Sequence, residues 1–256
     1  MAAATRAMRR IAAVVGVLGW LMVVSGAFAD EDHLLLEIDG QVVKWGEARL
    51  GTGAVVTYAL ANRAQSFADA RNCRNIVPVD GILRASHLDR AALERELEAA
   101  LAAWERVADI RFRRASDRTP ADIVIGAQRD ARGYAFADVA PNNAPADFAL
   151  SREGMFTAGY SPGRRARREL PVAPISRSLV CLNPEREWKV GFNGDLERYD
   201  LRYTFMHEIG HAIGLDHPGG SGEMMSFRYL ERFRAPQPGD VAGAVRLYGP
   251  VAGARP

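Results

Sequence analysis

Three histidines and a glutamate lie within the eleven-residue segment HEIGHAIGLDH, at positions 207–217. His207 and His211 are four residues apart, so on an α-helix they lie one turn apart on the same face. Their ring nitrogens can therefore point at one metal ion. Glu208 lies about 100° further round the helix, where it can reach a water on that metal but cannot easily become a ligand. The residue types and their spacing predict a bound zinc with Glu208 as general base.

The third histidine needs a turn between it and the helix. Gly214 stands where the helix has to end, and glycine enters the left-handed conformation without a Cβ penalty. The chain can then bring His217 to the same metal. Three protein ligands leave one tetrahedral position open, which is typical of a catalytic zinc. A bare HExxH also occurs on helices whose histidines are surface or core residues, but the added glycine and third histidine make the full pattern far more specific.

A methionine follows the third histidine at a fixed distance. Met225 lies eight residues after His217, in the segment GEMMSFRY. With this methionine the sequence resembles the metzincin zinc endopeptidases, in which a methionine turn passes beneath the three histidines. Met224 competes for the role, but the spacing in the matrix metalloproteinase branch favours Met225. The resemblance implies an apolar floor that steadies the ligands.

Three further segments are similar to one metzincin branch, the matrixins of peptidase family M10. They are GDVAGAVRLYG at 239–249, ALAAWERVADIRF at 100–112 and ADIVIGAQ at 121–128, and the resemblance covers roughly residues 52–249. Astacins and serralysins carry a tyrosine two residues after the methionine, whereas this chain has Phe227 there and Tyr229 two residues later.

The matrixin resemblance also implies how a substrate is held. An extended peptide would pair with the edge strand near Tyr134, Ala135 and Ala137. Its P1′ side chain would enter a pocket walled partly by Tyr229. We therefore expect protein or peptide substrates.

The same resemblance implies an α+β fold, the metzincin catalytic domain. Such a domain has a twisted, mixed, mainly parallel five-stranded sheet, three main helices and a zinc cleft. The residues themselves predict short strands, rich in apolar or β-branched residues or bounded by turn formers, at 54–60, 110–113, 123–125, 134–137 and 179–182.

Helical patterns predict the remaining elements. Apolar residues at helical spacing predict a long helix over 88–108, with Asp89 or Ser86 as its N-cap. Asp200 marks the start of the metal-binding helix. A last helix should begin near Asp240 and end at Gly249-Pro250.

The first 29 residues have the pattern of a signal peptide. Arg6, Arg9 and Arg10 precede an apolar run from 11 to about 24, and Ala27-Phe28-Ala29 forms an A-x-A cleavage site. The run is too short and wrongly flanked for a stable membrane span, although an uncleaved anchor remains the alternative. We therefore expect a secreted or periplasmic protein, divided into a signal peptide (1–29), an N-terminal extension (30–51), a peptidase domain (52–250) and a tail (251–256).

The rest of the chain suits one domain with one substantial core. Its charge indicates which classes of partner to expect. Removing the three arginines of the signal segment leaves nearly balanced charge, so no nucleic-acid partner is implied. We expect a monomer. Residues 164–168 hold four arginines, which favours a solvated loop and a site of nicking over a binding patch.

The chain departs from the matrixins at their second, structural zinc. In the stretch that matches the family's ligand segment, residues 133–139, Ala137 stands where a histidine ligand should be. His33 and His87 are most simply surface residues. We therefore expect one catalytic zinc and no second one. Calcium is unsupported, because the family's calcium sites cannot be matched residue by residue, although Asn142, Asn143 and Asp147 could supply oxygen ligands in a loop.

The two cysteines allow two interpretations. Matrixin zymogens are held latent by a cysteine on the zinc, but here the only similar segment is Asn72-Cys73-Arg74. Two cysteines in an exported chain instead favour a disulfide between Cys73 and Cys181. A latency cysteine is the alternative.

The sequence thus predicts a secreted zinc-dependent endopeptidase with Glu208 as general base. Two other classes fit the same residues. One is a zinc-binding, proteolytically silent interaction module, and the other is a hydrolase of non-peptide amides.

Overall fold

The computed structural model of the chain describes residues 33–116, 120–142, 170–220, 222–251 and 253. The expected signal peptide, the arginine-rich segment 164–168 and two of the candidate calcium ligands, Asn143 and Asp147, lie outside the described residues. Within the described ranges, no helix combines the length and the apolar character needed to cross a membrane.

The described residues form four helices and thirteen strands. The helices are α1 (Asp80–Ala85), α2 (Arg90–Glu105), α3 (Leu201–Ala212) and α4 (Pro238–Tyr248). The strands are β1 (Leu34–Leu35), β2 (Glu37–Ile38), β3 (Gln41–Lys44), β4 (Ala54–Leu60), β5 (Gln65–Ser66), β6 (Asn75–Val77), β7 (Ile110–Arg114), β8 (Ile123–Gln128), β9 (Ala135–Pro141), β10 (Val172–Leu182), β11 (Trp188–Lys189), β12 (Tyr199–Asp200) and β13 (Leu215–Asp216).

One mixed, mainly parallel sheet organises the fold. Its strand order is β2-β3-β10-β8-β4-β7, with β9 paired to β10, β6 to β8 and β5 to β6. Strands β7, β4, β8 and β10 run parallel to one another, and β9 runs antiparallel to β10. The five expected strands correspond to β4, β7, β8, β9 and β10, and four short strands extend the same sheet. The α+β fold is therefore confirmed.

Several strands are longer than the sequence predicts. β8 continues to Gln128, β9 runs on to Pro141 and β10 already begins at Val172. Gly126, Pro141 and Pro174 argue against a strand in local terms. Pairing with neighbouring strands overrides that local preference, for example where Pro174 lies opposite Lys44 of β3.

Apolar residues cover both faces of the sheet. Every residue of β8 is buried. Ile123 and Ile125 join the main core with residues of α2, α3 and α4. Val124 points to the opposite face, where it joins a smaller core with Cys73 and Cys181. The strand's continuous apolar run is explained by this two-sided burial.

Helix α2 is shorter than its apolar pattern suggests. Its N-cap is Asp89, whose side chain accepts a hydrogen bond from the Ala92 N–H. Ser86 is not an alternative cap, because it ends the separate helix α1. His87 then adopts a left-handed conformation with φ of 53° and is exposed, so the expected helix over 88–108 begins only after this turn.

Helix α4 begins earlier than expected. Gln237 is the N-cap and Pro238 the first helical residue, while Asp240 is the third residue of a capping box. Proline suits this first position because its missing N–H would have no helical partner. The helix ends before Gly249, which has φ of 82°. The expected start near Asp240 is therefore corrected to Pro238, two residues earlier.

The described part of the expected N-terminal extension, residues 33–51, contributes strands that pair with the rest of the fold. β1 pairs with β13, placing Leu34 opposite Asp216 and Leu35 opposite Leu215. The Leu36 N–H donates to the Gly214 carbonyl over 2.8 Å. β3 then joins the main sheet through β10. The N-terminal segment consequently supports the strand that leads directly into His217.

Candidate metal centre and cleft

Three histidine rings converge at the C-terminal end of α3. The Nε2 atom of His217 lies 3.1 Å from the Nε2 atoms of both His207 and His211. Nitrogens bound to one tetrahedral zinc are about 3.3 Å apart. Among the described residues, these three form the one group of His, Cys, Asp or Glu side chains placed to hold a metal.

The remaining ring nitrogens fix how two of the histidines point. His207 Nδ1 lies 2.9 Å from the Met224 carbonyl oxygen, and His211 Nδ1 lies 2.8 Å from that of Leu215. Because a carbonyl oxygen only accepts, each Nδ1 must carry the proton and donate it. Each Nε2 then presents a lone pair to the shared point. Lone pairs that face one another at this distance repel unless a cation lies between them, so the donor set fits zinc.

Burial keeps the histidines in the neutral form that metals bind. It lowers the pKa of His207 well below the ordinary value and that of His211 to about 3. The pKa of His217 is also lowered by burial, with Asp216 opposing the change. The three rings therefore stay in the neutral form at neutral pH, and each keeps one ring nitrogen that can bind a metal.

Glu208 lies in the same cleft as the three rings. Its side chain is buried, and burial raises the pKa of its carboxyl group to about 8. The main-chain N–H of Ala137 faces this carboxyl and opposes the rise. Ala137 belongs to β9, so the edge strand of the sheet lies next to the proposed base.

The two ends of α3 are fixed by specific contacts. At its start, the Asp200 side chain accepts from the Tyr203 N–H over 2.8 Å. After its last turn, Gly214 has φ of 104°, and a Cβ there would come within 2.2 Å of the Val43 carbonyl oxygen. The expected left-handed turn is present, and the close approach of β3 adds a second reason for glycine.

The methionine turn lies directly beneath the histidines. Both Met224 and Met225 are buried. A Cβ on Gly210 would lie 2.2 Å from the Met225 Sδ atom, so this methionine packs under the metal helix. Met224 contributes its carbonyl oxygen to His207. Asp240 holds the turn from below by accepting from both methionine N–H groups, over 2.7 and 3.0 Å.

A cleft of about 930 Å³ opens onto the histidines and Glu208. Tyr134, Ala135 and Ala137 line one wall. The edge of β9 that carries the main-chain groups of Ala137 faces away from β10, since the Ala137 carbonyl accepts from the Asn72 side chain, and Ala137 lines this cleft. An exposed strand edge can pair with an extended peptide.

The family model of the matrixins, in peptidase family M10, matches residues 82–249. The chain belongs to the matrixin family. The match includes the three histidines, Glu208 and Met225, and it indicates a zinc metallopeptidase at the level of the family.

Two curated relatives resemble this matrixin at modest identity. Stromelysin-1 of Rattus norvegicus is 29% identical over 168 residues, which cover 64% of this chain and 30% of the stromelysin. Stromelysin-2 of Rattus norvegicus is 26% identical over 168 residues, which cover 63% of this chain and 29% of the stromelysin. This matrixin therefore spans less than a third of the length of these relatives.

Tyr229 lies elsewhere in this matrixin than its expected role suggests. It is not among the described residues that line the cleft. Its hydroxyl accepts from the Asp200 N–H over 2.7 Å and donates to Glu231 over 3.0 Å. Its ring packs edge-on against Tyr199 and Tyr203. Tyr229 thus supports the start of α3, and contact with a P1′ side chain stays a prediction.

Several cleft residues were not found from the sequence. Phe227 is 77% exposed at the mouth, with its ring edge-on to His217. Further lining comes from the N-terminal segment and from the stretch before Cys73. The missed lining residues are Leu36, Glu37, Ile38, Asp39, Asp69, Arg71, Asn72, Gly133, Phe136, Asp138, Val139, Ala140, Pro141 and Phe227. The aromatic side chain of Phe227 was visible in the sequence, but nothing local marked the others.

The structure separates the other positions that the sequence raised for a second zinc. Ala137, which stands in place of a histidine ligand, lines the cleft, and His87 is exposed. His33 is half-buried beside Gly243, not on the open surface as expected. Asn142 is the one candidate calcium ligand within the described residues, and its N–H donates to the Pro174 carbonyl. The expectation of a single zinc stays a prediction.

Cys73 and Cys181 form a disulfide, with their Cα atoms 5.8 Å apart. These are both cysteines of the chain. The bond ties the segment before β6 to β10, across the smaller core. With Cys73 in this bond, its sulfur is not placed on the histidines, which disfavours the latency interpretation.

Proposed function

We propose that this matrixin is a secreted zinc-dependent endopeptidase that cleaves proteins or peptides, with Glu208 as the general base. Membership of the family supports a zinc metallopeptidase. The observation that carries the proposal is the convergence of three neutral histidine nitrogens beside a buried carboxyl in one open cleft. His207, His211 and His217 would hold the ion.

The chemistry needs one metal ion and one base. When bound, zinc lowers the pKa of its water to about 7 and polarises a carbonyl oxygen. A zinc ion on the histidines would favour the ionised form of Glu208, which would accept the proton of the attacking water and return it to the leaving amine. The main-chain N–H of Ala137 also favours that ionised form. Met225 and Asp240 hold the floor beneath the histidines.

Substrate binding would use the edge of β9. Ala135 and Ala137 lie two residues apart in the strand, so their main-chain groups point to the same edge. A cleft of about 930 Å³ is large enough for several peptide side chains. Backbone pairing fixes the peptide's direction while side-chain pockets select its sequence.

Secretion and a monomeric state belong to the same proposal. The signal-like segment at 1–29 and the Cys73–Cys181 disulfide both suit an oxidising compartment outside the cytoplasm. Within the described residues, the outer edge of β9 opens onto the cleft, and we assign that edge to substrate rather than to a second copy of the chain.

The direct test is peptide cleavage that depends on zinc. The purified protein is stripped with a chelator, reloaded with zinc to the expected one ion per chain, and incubated with a quenched peptide library. Cleavage lost on stripping and restored on reloading supports the endopeptidase. Zinc binding without cleavage supports the silent module, and turnover of small amides alone supports the amide hydrolase.

A further inference from the structure

A second cavity of about 340 Å³ lies beside the cleft and is lined only by polar and charged side chains. We call it the arginine pocket, after the three arginines Arg71, Arg74 and Arg132, which share it with Asn72, Asn75, Gln128 and Asp130. Arg71 and Asn72 also line the main cleft. The two cavities therefore adjoin along this pair of residues.

The arginine pocket carries more positive than negative charge. Its carboxylate, Asp130, accepts a hydrogen bond from the Asn75 amide over 3.1 Å. Arg74 donates to the Ala70 carbonyl, and Arg132 donates to the carbonyls of Arg71 and Asn72. Carbonyl oxygens are neutral, so these contacts orient Arg74 and Arg132 without neutralising them. The pocket therefore suits an anionic group.

The backbone of the arginine pocket is fixed in place. The Asp138 carboxylate accepts from the N–H groups of Arg71 and Asn72, over 2.7 and 3.0 Å. Next to them, Cys73 is joined to Cys181. A loop that is already ordered loses little conformational entropy when it binds a ligand.

One residue of the edge strand connects the arginine pocket to the proposed base. The Ala137 N–H faces the Glu208 carboxyl, and the Ala137 carbonyl accepts from the Asn72 side-chain amide over 3.3 Å. Both groups of a strand residue point to the same edge. A peptide lying along that edge would therefore pass the pocket close to its scissile bond.

Negative charge in the cleft lies mainly outside the arginine pocket. Glu37 and Asp39 line the cleft but not the pocket, whereas Asp69 is paired with Arg177 over 2.8 Å. Asp138 lies beside the pocket, where it already accepts two main-chain hydrogen bonds. An acidic side chain would be repelled near Glu37 and Asp39 and attracted beside the arginine pocket. The charge pattern thus predicts that an acidic side chain is favoured at some positions of the substrate peptide and disfavoured at others.

We propose that the arginine pocket is a substrate subsite that binds the carboxylate of an aspartate or glutamate side chain near the scissile bond. The inference rests on the proposed endopeptidase function. Guanidinium groups match a carboxylate through paired N–H donors, which makes arginine the residue suited to such recognition.

The test uses a peptide that the zinc-loaded protein cleaves, acetylated and amidated at its ends. Glutamate and glutamine are compared at each position on both sides of the cleaved bond. At one position, or two neighbouring ones, glutamate should raise kcat/KM by about fivefold over glutamine. This advantage should shrink as salt screens the charges. At the other positions glutamate should give no advantage.

Variants of Arg74 test whether the arginine pocket causes the advantage of glutamate over glutamine. Arg74→Gln should bring the glutamate-to-glutamine ratio at the selected position close to one. Arg74→Glu should reverse the charge preference, so that lysine becomes better than glutamate there. Arg129→Gln is the matched control, because Arg129 is an exposed neighbouring arginine that lines neither cavity, and it should leave the ratio unchanged.

Three results would overturn the subsite. They are equal cleavage of glutamate and glutamine peptides at every position, a preference that survives both Arg74 variants, and a preference that appears only when the peptide has a free C-terminal carboxylate. The last result would assign the pocket to chain ends. If zinc-loaded protein cleaves no peptide at all, the proposed function fails together with the subsite, and this outcome is distinct from cleavage without charge preference.

Discussion

Met225 and Gly210 touch across the floor of the metal site: a Cβ on Gly210 would lie 2.2 Å from the Met225 Sδ atom. Gly210 stands immediately before the ligand His211 in α3. The glycine therefore lets the methionine turn pack directly against the helix that carries two ligands and the proposed base. The sequence patterns treat these two residues separately, and their packing contact is visible only in the structure.

Gly210→Ala tests this contact. Alanine should gain about 1 kcal/mol of helix propensity, but overpacking against Met225 and Trp104 should cost roughly 1–3 kcal/mol. We expect a net loss of stability, measured by urea unfolding of the zinc-stripped protein, and weaker zinc retention. Gly81→Ala, in the short helix α1, meets open space and should not be destabilising. A Gly210→Ala variant as stable as its parent would contradict the contact.

Gly214→Ala should weaken zinc binding through the turn that leads to His217. The position combines φ of 104° with a Val43 carbonyl 2.2 Å from any added Cβ. Removing this clash requires the N-terminal strand β3 to move away from the turn. Because the turn positions His217, zinc affinity should fall by about 10- to 100-fold. Competition with a chromogenic chelator measures the affinity. Gly219→Ala, which meets open space two residues after His217, should bind zinc as the parent does. Equal affinities for the two variants would show that β3 does not position His217.

Lys44 should make stability depend on pH in the alkaline range. The side chain is fully buried and donates to the carbonyls of Trp45 and Glu47. Burial lowers the pKa of Lys44 to about 8 from 10.5. Between these values the unfolded state binds more protons than the folded state, so the free energy of unfolding rises with pH.

The comparison with Lys44→Met isolates this effect. From pH 8 to 10.5 the parent should gain at most about 3 kcal/mol relative to the variant. Denaturant unfolding at several pH values gives the difference. A constant difference between the two proteins across this range would mean that Lys44 keeps an ordinary pKa in the folded protein.

Removing the disulfide should lower stability without activating the protein. Cys73 and Cys181 are separated by 108 residues, and a native disulfide typically contributes about 2–4 kcal/mol. We expect the Cys73→Ala, Cys181→Ala double variant to unfold at lower denaturant concentration. Alkylation of the unfolded, non-reduced parent should add no label. A Cys73→Ala variant that is active while the parent is latent would support the latency cysteine instead.

The sequence could predict the metal site because its residues are close together in the chain. His207, Glu208 and His211 are placed by one helical turn, and Gly214 supplies the bend to His217. These relationships depend on local geometry alone. The central strands were also predictable from short apolar runs, although their ends depended on pairing partners.

The remaining parts of the cleft depend on contacts between distant segments. Leu36 reaches the cleft because β1 pairs with β13, far along the chain. Arg71 and Asn72 reach it through the Asp138 carboxylate. Tyr229 was assigned by family spacing, whereas its hydroxyl is used to hold the start of α3. No local pattern encodes which of these distant segments meet.

Glu208→Gln tests the central claim most directly. Glutamine keeps nearly the same volume and cannot act as a base, and the three histidine ligands are unchanged. Zinc content, measured by elemental analysis, should stay near one ion per chain, while kcat for peptide cleavage should fall by about 10² to 10⁴-fold. His211→Ala should instead lose both zinc and activity. A Glu208→Gln variant that binds zinc and keeps most of the parent's peptidase activity would contradict the assignment of Glu208 as the base.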